Sequence, residues 1–220
     1  MVTVLPTGFA IIRGALSARR CEQLALLTDS LGIAGPGSRC LLSYQWCRQL
    51  AIEVRQARGL ADLIPESHSP VQCTYFEKST ENNWLVPIHQ DLSLPAPERT
   101  PLPGWGPWSE KEGATFVQPP VAVLEQLLAV RIHLDPCGVT DGPLHVVPGT
   151  HLQGVIRPEN AAALRIQEQA CLAQVGDALV FRPLLLHRSS KSSGASRRRV
   201  LHFLYAPPSA ALDVEWPSAA

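Results

Sequence analysis

The tripeptide His89-Gln90-Asp91 places two metal-binding side chain types close together. Alternate side chains of an extended strand project from the same face, so His89 and Asp91 point one way and Gln90 the other. An imidazole beside a carboxylate supplies two of the three ligands of the 2-His-1-carboxylate site of non-haem ferrous proteins. A short H-x-D sequence also arises by chance, and a solvated strand end is the alternative explanation. Gln90 is expected to be replaceable with little effect on metal affinity.

A further histidine and a run of arginines lie about a hundred residues downstream. His187 ends the apolar stretch 184–187, and the run 197–199 opens the last predicted strand. Two neutral imidazoles and a carboxylate on one face of an octahedral ferrous ion leave room for a bidentate 2-oxo acid and dioxygen. The far carboxylate of such an acid needs a planar, permanently charged partner, which an arginine provides. These spacings indicate a candidate metal site with an acid-binding end.

Each of these residues also has another explanation. A lone histidine such as His187 is more often a hydrogen-bonded core residue than a ligand. The arginine run is alternatively a patch for phosphate or coenzyme A. Within that run, Arg197 and Arg199 alternate away from Arg198 on a strand, so we expect them to reach solvent or acidic partners.

The hydrophobic pattern predicts the elements that would position these residues. Ser17 is a candidate N-cap for a helix over 18–31, and a second helical pattern covers 43–57. Short β-prone segments follow, separated by turn residues. The predicted strands cover 8–13, 71–76, 84–89, 129–135, 144–147, 178–181, 184–187 and 199–205. Many short strands after a helical N-terminal third predict a mainly β sandwich or jelly roll with helices packed outside.

A proline-, glycine- and tryptophan-rich segment follows the H-x-D tripeptide. Residues 95–113 predict a long loop without regular structure, and such loops are usually functional or disordered. The tryptophans favour an ordered lid, so we expect 95–118 to cover an active site, with a packed surface loop as the alternative. The proline-rich tail 207–220 is expected to be peripheral.

Composition narrows the class of protein. A chain of 220 residues that is 45% hydrophobic suits one globular domain over 1–220. The formal net charge of zero gives no indication of a nucleic-acid or membrane partner. No apolar stretch reaches the ~18 residues of a membrane span, and the N-terminus lacks signal-peptide features. The six cysteines form no C-x-x-C pair, which indicates buried or free thiols in a reducing cytoplasm. The sequence does not predict the oligomeric state.

Together these motifs resemble the phytanoyl-CoA dioxygenase family of Fe(II)/2-oxoglutarate-dependent oxygenases. The H-x-D pair, the distant histidine and an arginine eleven residues after it follow the family's order. Further matching segments are Tyr75–Lys78, Asn83–Trp84, Arg131–Asp135, Gly142–His151, Gly176–Asp177 and Arg198–His202. The resemblance spans about residues 8–207. It implies a double-stranded β-helix, the cupin-like jelly roll, with the N-terminal helices packed outside.

The resemblance also implies roles for individual residues. His89, Asp91 and His187 would bind iron, and Arg198 would bind the distal carboxylate of 2-oxoglutarate. Ser189 matches a family hydroxyl that assists the same carboxylate. The remaining candidates are the cosubstrate contact Gln72 and the substrate or lid contacts Trp108, Arg131 and Lys78. Structural roles are the alternatives for Arg131, in its strand, and for Lys78, in the loop before the first ligand.

The implied function is that of a 2-oxoglutarate-dependent dioxygenase acting as a hydroxylase. With Fe(II), 2-oxoglutarate and O2 as cofactors, and ascorbate as reductant in vitro, it would hydroxylate an unactivated C–H bond and release succinate and carbon dioxide. The expected substrate is a small metabolite or natural-product intermediate. One alternative is a cupin-like metal-binding protein without oxygenase activity, such as a sensor or redox-neutral enzyme. Another is a carrier that uses the sheet and the tryptophan-rich segment for binding alone.

Overall fold

Antiparallel sheets and a layer of N-terminal helices make up most of the fold. The computed structural model describes residues 5–33, 35, 37–99 and 103–210. Its strands are β1 (Phe9–Ile12), β2 (Gly37–Ser38), β3 (Ser69–Lys78), β4 (Val86–His89), β5 (Leu94–Ala96), β6 (Trp108–Lys111), β7 (Ala114–Val117), β8 (Leu128–His133), β9 (Leu144–Val146), β10 (Gln169–Cys171), β11 (Ala178–Phe181), β12 (His187–Ser189) and β13 (Arg198–Ala206). Its helices are α1 (Ala18–Ser30), α2 (Gln45–Gln56), α3 (Val121–Leu124) and α4 (Pro158–Leu164).

Two of the sheets face each other across the interior. The larger has six strands in the order β1-β11-β8-β13-β3-β2, and the smaller has four in the order β10-β9-β12-β4. A cavity of about 270 Å³ is lined by residues of both sheets. The fold is therefore the expected mainly β, cupin-like jelly roll, without a closed barrel among the described strands.

The N-terminal helices cover the outer face of the larger sheet, as predicted. The Ser17 side chain accepts a hydrogen bond from the backbone N–H of Arg20 at 3.2 Å and so caps α1. Apolar residues of both helices, such as Leu24 and Leu50, pack with Val130 of β8 and other outer-face residues of the sheet. Burial of this shared apolar surface is the main free-energy contribution that holds the helices against the sheet.

The inner face of the larger sheet is polar where an ordinary core would be apolar. Strand alternation turns residues 72, 74, 76 and 78 of β3 toward the cavity, and residues 198, 202 and 204 of β13 do the same. Lys78 and Arg198 are among these residues, and Arg131 of β8 lines the same cavity; their relative exposures are 0%, 1% and 6%. Charged residues are almost never fully buried without a partner, so these positions indicate a binding site.

Parts of the segment 95–118 form strands, at 95–96, 108–111 and 114–117, which corrects the predicted long loop over 95–113. Strands β5, β7 and β6 form a separate three-stranded sheet, joined by a connection of which 100–102 lie outside the described residues. The hairpin between β6 and β7 turns at Glu112 and Gly113, whose φ angles are 52° and 74°. A two-residue turn with both φ angles positive matches the twist of the strands it joins. We call the hairpin of β6 and β7 the flap.

Two further predictions are modified at the ends of strands. The leucines Leu184–Leu186 are buried but form no strand, because the chain turns there through a hydrogen bond from Leu185 N–H to Arg182 O; His187 instead begins β12. In the predicted peripheral tail 207–220, Ala210 is fully buried, and 211–220 lie outside the described residues.

None of the described helices has the length and apolar character needed to cross a bilayer.

Candidate metal centre

The predicted metal ligands lie together at one end of the cavity. His89 ends β4 and His187 begins β12, and the two residues are directly paired in the antiparallel register. Asp91 follows β4, where its backbone N–H donates to Pro183 O at 2.9 Å. Its carboxylate lies 3.6 Å from His89 Nε2 and 3.5 Å from His187 Nε2. Ligand atoms of all three residues lie within 4.8 Å of one another, so they could hold a metal ion.

Backbone hydrogen bonds fix which nitrogen of each imidazole faces the centre. His89 Nδ1 lies 2.8 Å from Pro87 O, and His187 Nδ1 lies 2.8 Å from Leu185 O. Because a carbonyl oxygen only accepts, each Nδ1 must carry the proton, which leaves the lone pair on Nε2. Second-sphere hydrogen bonds of this kind are the usual way in which metal-binding histidines are oriented.

The electrostatics of the three groups favour an ionised Asp91 beside a neutral His187. Burial raises the pKa of Asp91, but the imidazoles of His187 and His89 outweigh this, and its pKa lies well below the ordinary value. Burial lowers the pKa of His187 to about 4, against the opposing effect of Asp91. Burial lowers the pKa of His89, but the hydrogen bond and charge of Asp91 outweigh this and raise it, so a bound metal ion would displace a proton from this ring. An ionised carboxylate and a neutral imidazole are the forms that bind a metal ion, so this donor set fits the ferrous ion expected from the sequence.

The other end of the cavity concentrates positive charge. Arg198 donates from Nη1 to Gly142 O at 2.9 Å, while its buried Nε has no hydrogen-bond partner among the described residues. Ser189 donates to the same carbonyl at 2.9 Å and accepts from Lys78 Nζ at 2.6 Å. Lys78 also donates to the carbonyl of Ser190. Burial, followed by the charge of Arg198, lowers the pKa of Lys78 to about 7.

Arg131 adds another buried cation to this end. Its guanidinium lies 5.4 Å from the ring centre of Phe76, and its buried Nε has no partner among the described residues. Burial, and then the charge of Arg198, lowers its pKa to about 9. Buried charges without counterions are costly, so this cluster of cations, which has no carboxylate partner among the described residues, fits a ligand with negative charges, such as the dianion 2-oxoglutarate.

The remaining predicted residues divide between the cavity and the packing around it. Gln72 lines the cavity and donates to Thr74 Oγ1 at 2.7 Å. Trp108 is not in the lining; it packs against the apolar cluster that contains Leu94 and Val117 and so anchors the flap. The arginines on either side of Arg198 pair with acidic residues as expected: Arg197 with Glu77 and Asp29, and Arg199 with Asp135 and Asp29.

The sequence analysis missed several residues at the open side of the cavity. Lys111 of the flap lies in the lining with Phe116, and the segment after β2 adds Arg39. The carboxylate of Glu112 accepts hydrogen bonds from Arg39 N–H at 2.7 Å and Arg39 Nη1 at 2.6 Å, which ties the flap to that segment. Ser38 Oγ also donates to the Glu112 carboxylate, at 3.0 Å. The two residues are 74 positions apart, and no local sequence pattern predicts a contact over such a separation.

Family comparison agrees with this geometry. A model of the family described as phytanoyl-CoA dioxygenase (PhyH) matches residues 6–200. The chain belongs to the phytanoyl-CoA dioxygenase family. Membership indicates an Fe(II)/2-oxoglutarate-dependent enzyme, and it agrees with the resemblance noted in the sequence. No curated protein sequence matches the chain.

Solved structures share the fold of this PhyH-family chain at low sequence identity. The α-ketoglutarate-dependent epimerase SnoN from nogalamycin biosynthesis superposes with a TM-score of 0.67 at 15% identity, covering 92% of this chain and 77% of SnoN. HygX from Streptomyces hygroscopicus, solved with nickel and 2-oxoglutarate, gives 0.64 at 16% identity over 92% and 83% of the two chains. The carbocyclase SnoK gives 0.66 at 15% identity over 92% and 80%.

Proposed function

We propose that this protein is an Fe(II)/2-oxoglutarate-dependent oxygenase that hydroxylates an unactivated C–H bond of a small metabolite or natural-product intermediate, with release of succinate and carbon dioxide. The observation that carries the proposal is the convergence of two Nε2 atoms and one carboxylate at the end of a cavity whose other end is cationic. Metal chemistry and acid binding are both needed by such an enzyme, and here they share one cavity.

His89, Asp91 and His187 would hold the ferrous ion by Nε2, a carboxylate oxygen and Nε2. A bound ferrous ion would couple the oxidation of 2-oxoglutarate by dioxygen to C–H cleavage, with one oxygen atom going to succinate and the other to the product. The side chains are oriented before any ion binds, because Pro87 O and Leu185 O hold the imidazole rings. Such preorganisation reduces the cost of assembling the site.

Arg198 and Ser189 would bind the distal carboxylate of 2-oxoglutarate. The free Nε of Arg198 supports this role, because a guanidinium binds a carboxylate through two parallel N–H donors. Lys78, through its hydrogen bond to Ser189 Oγ, would add positive charge at the same end. Arg131 would lie beside the cosubstrate and offset its second negative charge.

A succinate-release screen tests the proposal. The protein is incubated with Fe(II), ascorbate, 2-oxoglutarate and members of a metabolite library, and both succinate and product masses are measured. Hydroxylation adds one oxygen atom to the product, whereas an unchanged mass would indicate the kind of reaction named for SnoN, and a loss of two hydrogens would fit the ring closure named for SnoK. Asp91→Ala should abolish succinate release; an equally active variant would contradict the proposed centre.

The alternative of a metal-binding protein without oxygenase activity is tested by binding alone. Such a protein would need the three ligands but not the buried Arg198. Anaerobic addition of 2-oxoglutarate to the Fe(II) protein should give the weak visible absorption of the ferrous–cosubstrate complex, and Arg198→Met should weaken its appearance. Absence of both the absorption and succinate would favour the alternative. The cytoplasmic location and the small-molecule substrate stay predictions.

A further inference from the structure

The charge of the cavity differs sharply from the charge of the whole chain. The protein has 19 basic and 19 acidic residues, so its formal net charge is zero. The described lining nevertheless contains five cationic side chains and one carboxylate, which belongs to Asp91. The cations are Arg39, Lys78, Lys111, Arg131 and Arg198. A ferrous ion and dianionic 2-oxoglutarate cancel each other's charge, so their binding leaves this positive excess in place.

One of the cations, Lys111, lies away from the predicted cosubstrate end. It is half-buried on the flap, on the more open side where the exposed fractions of the His89 and Asp91 side chains reach 35% and 39%. Lys78, Ser189 and Arg198, by contrast, are fully buried. Burial and then the charge of Arg39 lower the pKa of Lys111, and Asp91 opposes them. Lys111 therefore lies where a second molecule would approach the metal ligands.

The ammonium of Lys111 is held in place without a counterion. It donates to Ser93 Oγ at 2.7 Å and lies 4.7 Å from the ring centre of Phe116, and both of those residues line the cavity. Within the described residues no carboxylate forms an ion pair with it. Arg39, the other cation at this side, is paired with Glu112, which is not part of the lining. Glu112 thus fixes the flap while leaving Lys111 free to bind an anion.

We propose that the substrate carries an acidic group, a carboxylate or a phosphate, and that Lys111 binds this group at the open side of the cavity. This inference rests on the proposed function, because the substrate of an oxygenase must lie beside the metal ligands and outside the cosubstrate site. A charge-assisted hydrogen bond from a partly desolvated ammonium favours an acid over a neutral analogue of the same shape. Lys111 would hold one end of the substrate while the bond to be oxidised faces His89 and Asp91.

Binding of two probe anions tests the inference directly. Protein loaded with Ni(II) is titrated first with 2-oxoglutarate to saturation, and then with inorganic phosphate or with acetate at constant ionic strength. The second titration should show saturable binding, which Lys111→Gln weakens about tenfold. Lys111→Arg, which keeps the charge, should bind nearly as the unmodified protein does. Lys191→Gln removes the same charge from an exposed position and is the matched control. The anion that binds with the higher affinity, phosphate or acetate, identifies the acidic group of the substrate.

The two titration steps separate the possible failures. Normal binding of 2-oxoglutarate, followed by anion binding that Lys111→Gln leaves unchanged, overturns the role of Lys111 alone. If 2-oxoglutarate does not bind to the Ni(II) protein, the proposed function is contradicted, and this inference is contradicted with it. In the succinate screen, free acids should stimulate release more than their methyl esters. Esters or amines that stimulate better than acids would also overturn the inference.

Discussion

Lys78 and Arg198 lie directly opposite each other on the paired strands β3 and β13, and both are almost fully buried. Like charges at directly opposed positions destabilise a strand pair. Among the described residues no carboxylate forms an ion pair with either cation. The two cations therefore repel each other in the ligand-free protein, and a bound anion would relieve this repulsion. For this reason the stability of the protein should depend on pH and on cosubstrate binding.

The stability of the ligand-free protein should depend on pH through Lys78. Its pKa is about 7 in the folded protein against an ordinary 10.5, so the folded state binds fewer protons than the unfolded chain between these values. Stability should therefore rise with pH across this window, by roughly 1 kcal/mol for each pH unit and on the order of 4 kcal/mol in all. Urea unfolding of the unmodified protein and Lys78→Met at pH 6, 8 and 10 isolates the effect. A difference between the two proteins that is the same at every pH would contradict it.

Replacing Arg198 should separate cosubstrate binding from stability. Arg198→Met should weaken 2-oxoglutarate binding about a hundredfold, because a buried charge partner of the carboxylate is lost. The ligand-free variant should lose less than about 1 kcal/mol of stability, since a desolvated charge is removed with it. Calorimetric titration and thermal unfolding measure the two quantities. Arg197→Met, which changes a partly exposed neighbour paired with Glu77, should leave 2-oxoglutarate affinity unchanged.

Gln90 should be important for stability although it points away from the ligands. Its amide donates to Gly154 O at 2.8 Å and Leu184 O at 2.6 Å, and it accepts from Ile156 N–H at 2.8 Å. Gln90→Ala should therefore lower the free energy of unfolding by about 2–3 kcal/mol. The Ni(II) affinity of the folded variant, measured below its unfolding temperature, should change less than about twofold if its effect is confined to stability. An unchanged denaturation midpoint would show that these hydrogen bonds contribute little.

Glu112 should control the opening of the flap. Removing its carboxylate in Glu112→Ala deletes the hydrogen bonds to Ser38 and Arg39. Amide hydrogen exchange of β6 and β7 should become about tenfold faster, the result expected for a loss of roughly 1.4 kcal/mol in local stability. Glu110→Ala removes an exposed carboxylate from the same hairpin and is the matched control. Equal exchange rates in the two variants would argue that the flap is held by apolar packing instead.

The sequence was most informative where short-range geometry decides the outcome. The H-x-D spacing correctly predicted that His89 and Asp91 lie together, although β4 ends at His89 and Asp91 follows it. The positions of α1 and of the larger sheet's long strands followed from periodicity. The flap was missed because its turn is Glu112-Gly113, whereas Asn-Gly and Asp-Gly are the usual signals for such hairpins. The proximity of Lys111 to the metal ligands depends on how that hairpin packs on distant strands, which no local pattern encodes.

The direct pairing of His89 with His187 would let one bound ion join two distant parts of the chain. The two residues are 98 positions apart (187 minus 89), and they belong to strands of one small sheet. An ion bound by both would act as a cross-link that closes this long loop, and such closures remove entropy mainly from the unfolded chain. Ion binding should therefore slow the separation of β4 from β12, so that the region between the two histidines unfolds together with its metal centre.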